Sequence, residues 1–478
     1  MESPAMNKLS PMITAITCML LSAVGFYFSL GLGDLWWLAW IAPVPVLWFA
    51  FANTKAGAAF LVAFLAAALG GCSILRAYWG ALHFLVPAIA GPALTFALSV
   101  LWARRVERAL GPVAGMFAFA ALWTAFDFLI SFDRGGGSVA TPAAAEVGAP
   151  FLIQTAALVG FLGVTFLLGF VAAGIALSIS RRTAVPVALA AAVFIANAAY
   201  GVWRIATPPE RHIRVALIDS NDTVGPVSRS DEKTALADID AYAAQIATLR
   251  TANVQLIVLP ENIVQIAPAW RAEAQAKLAA AQTHATLVAG FNTNIDGAQS
   301  NVSWAFAPGG SAPVTYIKRR LVPVAESSRY TPGPGPKVLA NGIGLEICKD
   351  MDFQAMLRDD MVSTKPVLLA VPAWDFDKDD WSHARVAILR SVENGVPMAR
   401  SARDGLLTLN DRYGRIVAAA RTRGGFRTLV GELPLDGRGG STLYDRIGDL
   451  FGWLCIALGA ILVGWSFVRA PGGAASDQ

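Results

Sequence analysis

Residues 1–205 carry so little charge, in runs so long and apolar, that a lipid bilayer is the environment they fit. A helix needs about 20 consecutive apolar residues to cross the hydrocarbon. Seven such stretches precede residue 205, at roughly 11–32, 35–53, 57–75, 84–103, 111–131, 151–180 and 184–203, and an eighth covers about 449–468. Between them, residues 211–441 have the composition of a soluble domain. The pattern predicts a membrane domain of about seven transmembrane helices over 1–205, an extracytoplasmic α/β domain over 211–441, and a C-terminal transmembrane helix over 449–468. Pro43 and Pro45 interrupt the second stretch, so a broken or re-entrant helix is an alternative there. The first stretch is too long, and too closely followed by others, to be a cleaved signal peptide.

Composition excludes several classes. With 55% hydrophobic and 15% charged residues the chain is neither disordered nor an ordinary cytosolic protein. A net charge of +4, spread thinly, leaves no nucleic-acid footprint. The cysteines Cys18, Cys72, Cys348 and Cys455 form no CxxC pair, and His83, His212, His284 and His383 match no metal-binding spacing. No metal and no cofactor is expected.

Orientation follows from Lys and Arg in the short loops. With the N-terminus inside, one face receives Lys8, Lys55, Arg104, Arg105, Arg108, Arg181, Arg182 and Arg469, and the other only Arg76 and Arg134. Eight against two places both termini in the cytoplasm and the 211–441 domain outside. Trp36, Trp37, Trp40, Trp79, Trp203 and Trp453 lie near span ends, where interfacial belts form.

The soluble stretch alternates short apolar runs with helical ones. Strands are expected at 213–219, 254–259, 286–291, 302–306, 343–347 and 367–371, and helices at 232–250, 269–283 and 382–394. Chemistry in layered α/β domains gathers at strand ends. One strand ends in Pro260-Glu261-Asn262, another delivers Cys348, and the segment 315–323 carries Lys318. Cys348 is the only cysteine between 211 and 441. A thiolate is the nucleophile, a carboxylate raised by burial can be its base, and a lysine can hold an oxyanion. An isolated cysteine at a strand end is also, and more commonly, a small core residue.

These motifs resemble a family. PEN at 260–262, YIKRRLVPVAE at 316–326 and GLEIC at 344–348 follow the order of the nitrilase superfamily's Glu, Lys and Cys, and 390–417 resembles that superfamily's helix–strand–strand segment. The more specific resemblance is to apolipoprotein N-acyltransferase, through LVP followed by Glu326, Ala-Trp at 373–374, TLYDRIGD at 442–449 and the order of the spans. It implies an αββα sandwich on a membrane domain and a two-step acyl transfer in a bacterial inner membrane, with the catalytic domain in the periplasm. By that resemblance Cys348 would take a fatty acyl chain from a membrane phospholipid as a thioester. The acceptor would be the α-amine of a lipoprotein's diacylglyceryl-cysteine. Glu261 would be the general base and Lys318 the oxyanion partner. Glu326 would orient Lys318 or assist proton transfer, a structural salt bridge being the other reading.

The sequence also departs from the family. Lys349-Asp350 stands where Tyr-Glu is usual, Asp219-Ser220 where Gln-Gly is, and Val371-Pro372 where Asn-Asp precedes Ala-Trp. These changes leave the nucleophile in place and bear on the acceptor. They keep open a membrane-anchored nitrilase-like amidase, and a non-catalytic lipid-binding relative is a third reading.

Lys349 and Asp350 are candidate substrate-side residues, Lys349 either as a second cation near the thiol or paired with Asp350 or Asp352. Trp374 and Phe376 are candidates for an acyl pocket, a core role being the alternative. His383 reads as a surface residue, and Arg319 and Arg320 as headgroup contacts or ordinary surface charge. Gly135-Gly136-Gly137 follows no strand and makes a poor phosphate cradle. Tyr330 and the Pro/Gly-rich 331–336 suggest a flap.

Overall fold

The computed structural model describes residues 11–52, 55–78, 82–209, 211–220, 231–281, 284–310, 312–435 and 438–469, without the side chains at 82–84. Lys8 and Trp79 lie outside the described residues. The chain forms two compact units, one containing residues up to Phe132, Ala140–Trp203 and the chain from Asp449, the other Asp133–Val139 and Arg204–Gly448.

In the first unit, seven helices among the described residues are long and apolar enough to cross a membrane: Pro11–Ser29, Ala56–Tyr78, Leu85–Leu110, Pro112–Ile130, Phe161–Arg181, Val185–Ile205 and Leu450–Val468. The stretch expected at 35–53 is instead a 3-10 turn, Trp36–Trp40, followed by the short helix Val44–Phe51. Pro43 and Pro45 stand at the break, at the cap and in the first turn of the short helix, where a missing N–H leaves no helical hydrogen bond unmade. The expected span at 151–180 starts later, at Phe161, since Gly160 with φ +73° ends the turn before it. Buried carboxylates in this unit are hydrogen-bonded, as burial requires: Asp127 accepts from Thr141 at 2.8 Å and Thr165 at 2.7 Å, and Glu146 from the Trp40 indole at 2.7 Å.

The second unit is built on strands β1 (His212–Ser220), β2 (Leu256–Val258), β3 (Gln265–Ile266), β4 (Thr286–Ile295), β5 (Ala298–Phe306), β6 (Val314–Ile317), β7 (Lys337–Val338), β8 (Ile343–Leu345), β9 (Leu368–Trp374), β10 (Met398–Arg403), β11 (Leu406–Asn410), β12 (Ile416–Arg421) and β13 (Phe426–Pro434). One sheet runs β13-β1-β2-β4-β5-β6, with β3 beside β4, and the other β12-β11-β10-β9-β8-β7. The two-residue period of a strand sorts the side chains. Val215 and Leu217 of β1 pack with Leu256, Val258 and Val288 against Leu345, Ala370, Leu407 and Leu409 of the other sheet. The alternate residues Ala216 and Ile218 face outward, onto Ile239, Tyr242 and Ile246 of helix Glu232–Thr248 and Leu278 of helix Arg271–Ala281. Helix Asp380–Asn394 packs on β11 of the second sheet, next to helix Gln354–Thr364. This is the αββα sandwich.

Every strand and helix expected between 211 and 394 is present, with ends shifted by a few residues. Helix Gln354–Thr364 and strands β3, β6, β7, β12 and β13 are additional to the expected elements, β12 pairing with β11 in one sheet and β13 with β1 in the other. β13 is exposed along much of its length, so its sequence lacks the unbroken apolar run of a buried strand.

Candidate active site

Strand β8 ends one turn before Cys348, which opens the 3-10 turn Cys348–Asp352 with φ +42°. That left-handed conformation is uncommon for a residue with a side chain and persists only where surroundings enforce it. Asp350 is part of the enforcement. Its fully buried carboxylate accepts from the Ile347 N–H at 3.1 Å and the Tyr316 hydroxyl at 2.8 Å, and from the N–H groups of Arg319 at 3.2 Å and Arg320 at 2.8 Å. It thereby ties the cysteine turn to the segment leaving β6. The Cys348 thiol donates to the Trp374 carbonyl at 3.6 Å. Burial pushes that thiol well above its ordinary pKa, with Glu261 adding to the shift and Lys318 and Arg400 opposing it.

Glu261 follows β2, and its N–H donates to the Ala373 carbonyl of β9 at 3.2 Å. Gly290 makes the approach possible, since a Cβ there would lie 2.6 Å from the Glu261 Cα. Lys318 follows β6, its N–H on the Asn301 carbonyl at 2.9 Å. Its ammonium meets Glu261 at 2.7 Å and Glu326 at 2.8 Å, with Lys318 and Glu261 both buried. The Asn301 amide donates to Glu261 at 2.6 Å and Glu326 at 3.0 Å, and the Val322 N–H donates to Glu326 at 2.8 Å.

One ammonium thus faces two carboxylates in a dry setting. Burial raises the Glu261 pKa, and the Glu326 charge adds to it against the pull of Lys318. Glu326 goes the other way: burial is outweighed by Lys318 and by its hydrogen bonds, which hold it below the usual carboxylate range. Burial disfavours a charged Lys318, but Glu261, Glu326 and Cys348 more than offset this and keep it an ammonium. Two carboxylates pushed in opposite directions is the arrangement that separates a proton acceptor from a fixed charge.

The structure therefore brings Glu261, Lys318 and Glu326 into contact, and it sets Cys348 and Glu261 on adjacent carbonyls of β9, those of Trp374 and Ala373. The other sequence-derived candidates are placed differently. Lys349 pairs with Asp352 at 3.2 Å, and Asp350 is absorbed in the hydrogen bonds that hold the cysteine turn. Trp374 donates its indole N–H to Asp404 at 3.1 Å, and its ring lies 6.0 Å from that of Phe376, a residue 50% exposed. Arg319 is no headgroup contact, because it is paired with Glu346 and Asp360. His383 is not a free surface residue: its Nε2 lies 3.1 Å from Asp379, which raises its pKa to about 9 against the opposing effect of burial. Gly137 has a packing reason, since the Asp352 carbonyl occupies the space of its Cβ while Ser138 donates to that carbonyl at 2.8 Å and 3.0 Å.

Asn301 was missed, and a polar residue on a strand that faces a neighbouring sheet is too common a pattern to reveal it. Arg400 and Arg403 left a clearer trace, as charged residues in a six-residue strand that is buried throughout. Arg400 is ion-paired with Asp375, and its guanidinium acts on Cys348.

A profile of the apolipoprotein N-acyltransferase N-terminal domain matches residues 20–174. An apolipoprotein N-acyltransferase of Allorhizobium ampelinum is 24% identical over 438 residues, 83% of this chain and 77% of that protein. One of Azotobacter vinelandii is 25% identical over 435 residues, 81% of each. Among solved structures, an amidase from Nesterenkonia sp. AN1, with an acetamide moiety covalently added at its active-site cysteine, is 20% identical with a TM-score of 0.40. The match covers 51% of this chain and 98% of that one.

Proposed function

Taking the chain as a relative of the apolipoprotein N-acyltransferases along most of its length, we propose that it is an integral membrane acyltransferase. It moves a fatty acyl chain from a phospholipid, through a thioester on Cys348, to the N-terminal amine of a lipoprotein's diacylglyceryl-cysteine. The observation that carries the residue assignment is Lys318 held between Glu261 and Glu326, with both Glu261 and Lys318 acting electrostatically on the Cys348 thiol.

In the first step Glu261, raised by burial, takes the thiol proton as the sulfur attacks the ester carbonyl. The oxyanion that forms is stabilised by the Lys318 ammonium and the Lys349 N–H, and collapses to release a lysophospholipid that takes the proton from Glu261. In the second step the amine attacks the thioester, Glu261 accepts its proton, and the amide leaves as the thiol is restored. Glu326 keeps Lys318 charged and aimed, and Asp350 keeps Cys348 in its left-handed turn. Both substrates are bilayer-anchored, so a site tethered to the membrane raises their effective concentration. Trp374 and Phe376 are assigned to the acyl-chain side.

The catalytic unit faces the periplasm of a bacterial inner membrane and both termini are cytoplasmic. That orientation rests on the Lys and Arg asymmetry and requires Trp36–Phe51 to cross as a broken helix. Labelling single engineered cysteines at 55 and 134 from each side of the membrane tests it.

The deciding experiment is intact-protein mass spectrometry after incubation with phospholipid, beside Cys348→Ala. A fatty-acyl mass increment, released by neutral hydroxylamine and absent from the variant, is expected. A folded protein that forms no adduct with any of several phospholipids would favour the amidase reading.

A further inference from the structure

Arg403 lies at the end of β10, in register with Trp374 of β9. Its buried guanidinium stacks 4.5 Å from the centre of the Trp374 indole ring and donates to the Asn262 carbonyl at 2.7 Å. Each contact is one residue from the chemistry. Trp374 supplies the carbonyl that accepts from the Cys348 thiol, and Asn262 directly follows Glu261. Asn262 has φ +57°, a sparsely populated conformation that external contacts must hold. Few side chains suit both tasks. A planar guanidinium can lie flat on an indole while its edge donates a hydrogen bond, whereas an ammonium has no flat face and cannot do both in the same way.

We propose that Arg403 is a positioning residue that clamps the Glu261 loop to the strand end holding the Cys348 thiol, and so sets the geometry of proton transfer between them. This rests on the reading in which Cys348 and Glu261 react. The indole is held further at its edge, where the Trp374 N–H donates to Asp404 at 3.1 Å. Loss of Arg403 removes the backbone hold on Asn262, leaving the Asn292 amide on its side chain, and lets the Glu261 carboxylate shift relative to the sulfur. The reacting groups themselves are kept and only their alignment changes, so the main defect belongs in the chemical step.

The test uses the full-length protein in vesicles of phosphatidylethanolamine and phosphatidylglycerol. The rate of Cys348 acylation is followed by intact mass across lipid concentration and pH, for wild type, Cys348→Ala, Arg403→Met and Arg403→Lys. The maximal acylation rate is expected to fall about 10²-fold in both Arg403 variants, the cost of a small misplacement of reacting groups, with half-saturating lipid changed less than about twofold. The pH midpoint of acylation should move in the same variants, and Arg403→Lys should restore the melting temperature better than the rate. Wild-type rate and pH midpoint in Arg403→Lys, or a defect confined to half-saturating lipid, would overturn the proposal. Arg403→Lys decides the matter if Arg403→Met does not fold. A wild-type protein that forms no adduct would overturn the acyltransferase reading and this proposal together, whereas normal kinetics in the variants would overturn this proposal alone.

Discussion

Asn301 donates its side-chain amide to Glu261 at 2.6 Å, from a strand adjacent to the one that leads into Lys318. The same amide reaches Glu326 at 3.0 Å, so one neutral side chain steadies both carboxylates that hold the lysine. Asn301→Leu removes a donor to the charged form of Glu261, and the Glu261 pKa should rise further. The acid limb of the acylation rate is then expected to move to higher pH. At neutral pH the rate should drop roughly ten- to a hundredfold, the worth of a hydrogen bond to a charged group. A pH–rate profile of thioester formation measures both.

Lys318→Met leaves Glu261 and Glu326 facing each other in a buried site without their shared ammonium. Removing one partner of a buried ion pair costs about 3–5 kcal/mol, so a large drop in melting temperature is expected along with loss of acylation. Adding Glu326→Gln should return part of the stability but none of the acylation. A double-mutant cycle by thermal denaturation tests this, and additive effects would count against a shared cluster.

Asp219 is buried at the end of β1, and burial lifts its pKa from 3.8 to about 7 despite the opposing charge of Arg403. The folded protein holds this proton at pH values where the unfolded chain has released it. Asp219 therefore costs nothing below pH 3.8 and costs increasingly more up to about pH 7, beyond which the cost is constant. Asp219→Asn should stabilise the protein with a margin that grows between those values, to at most about 4 kcal/mol. Melting temperatures from pH 4 to pH 8 supply the check, and a pH-independent margin would refute it.

His383 also makes stability fall as pH rises, but by losing a stabilisation instead of adding a cost. Its pKa rises from 6.5 to about 9, because Asp379 at 3.1 Å outweighs the effect of burial. The imidazolium–carboxylate pair stabilises the fold fully below pH 6.5 and is lost as pH passes 9. His383→Gln should lower the melting temperature at pH 6 and approach wild type near pH 10.

Much of this molecule is determined by its sequence alone, for a physical reason: hydrophobic length and period are local properties. The charge-poor first 205 residues and the apolar runs fix the membrane helices, and two-residue alternation marks β1 and β4. Cys348, Glu261 and Lys318 could be named because they sit beside apolar strands in short motifs. Tertiary structure decided what no local pattern encodes. That Lys318 is shared by Glu261 and Glu326, that Asp350 serves the backbone of the cysteine turn, and that Arg403 joins Asn262 to Trp374 all depend on strands far apart in sequence meeting within hydrogen-bond distance. The pKa shifts follow from the same cause, because a carboxylate's charge is set by its depth and its neighbours, and both appear only when the two sheets close on each other.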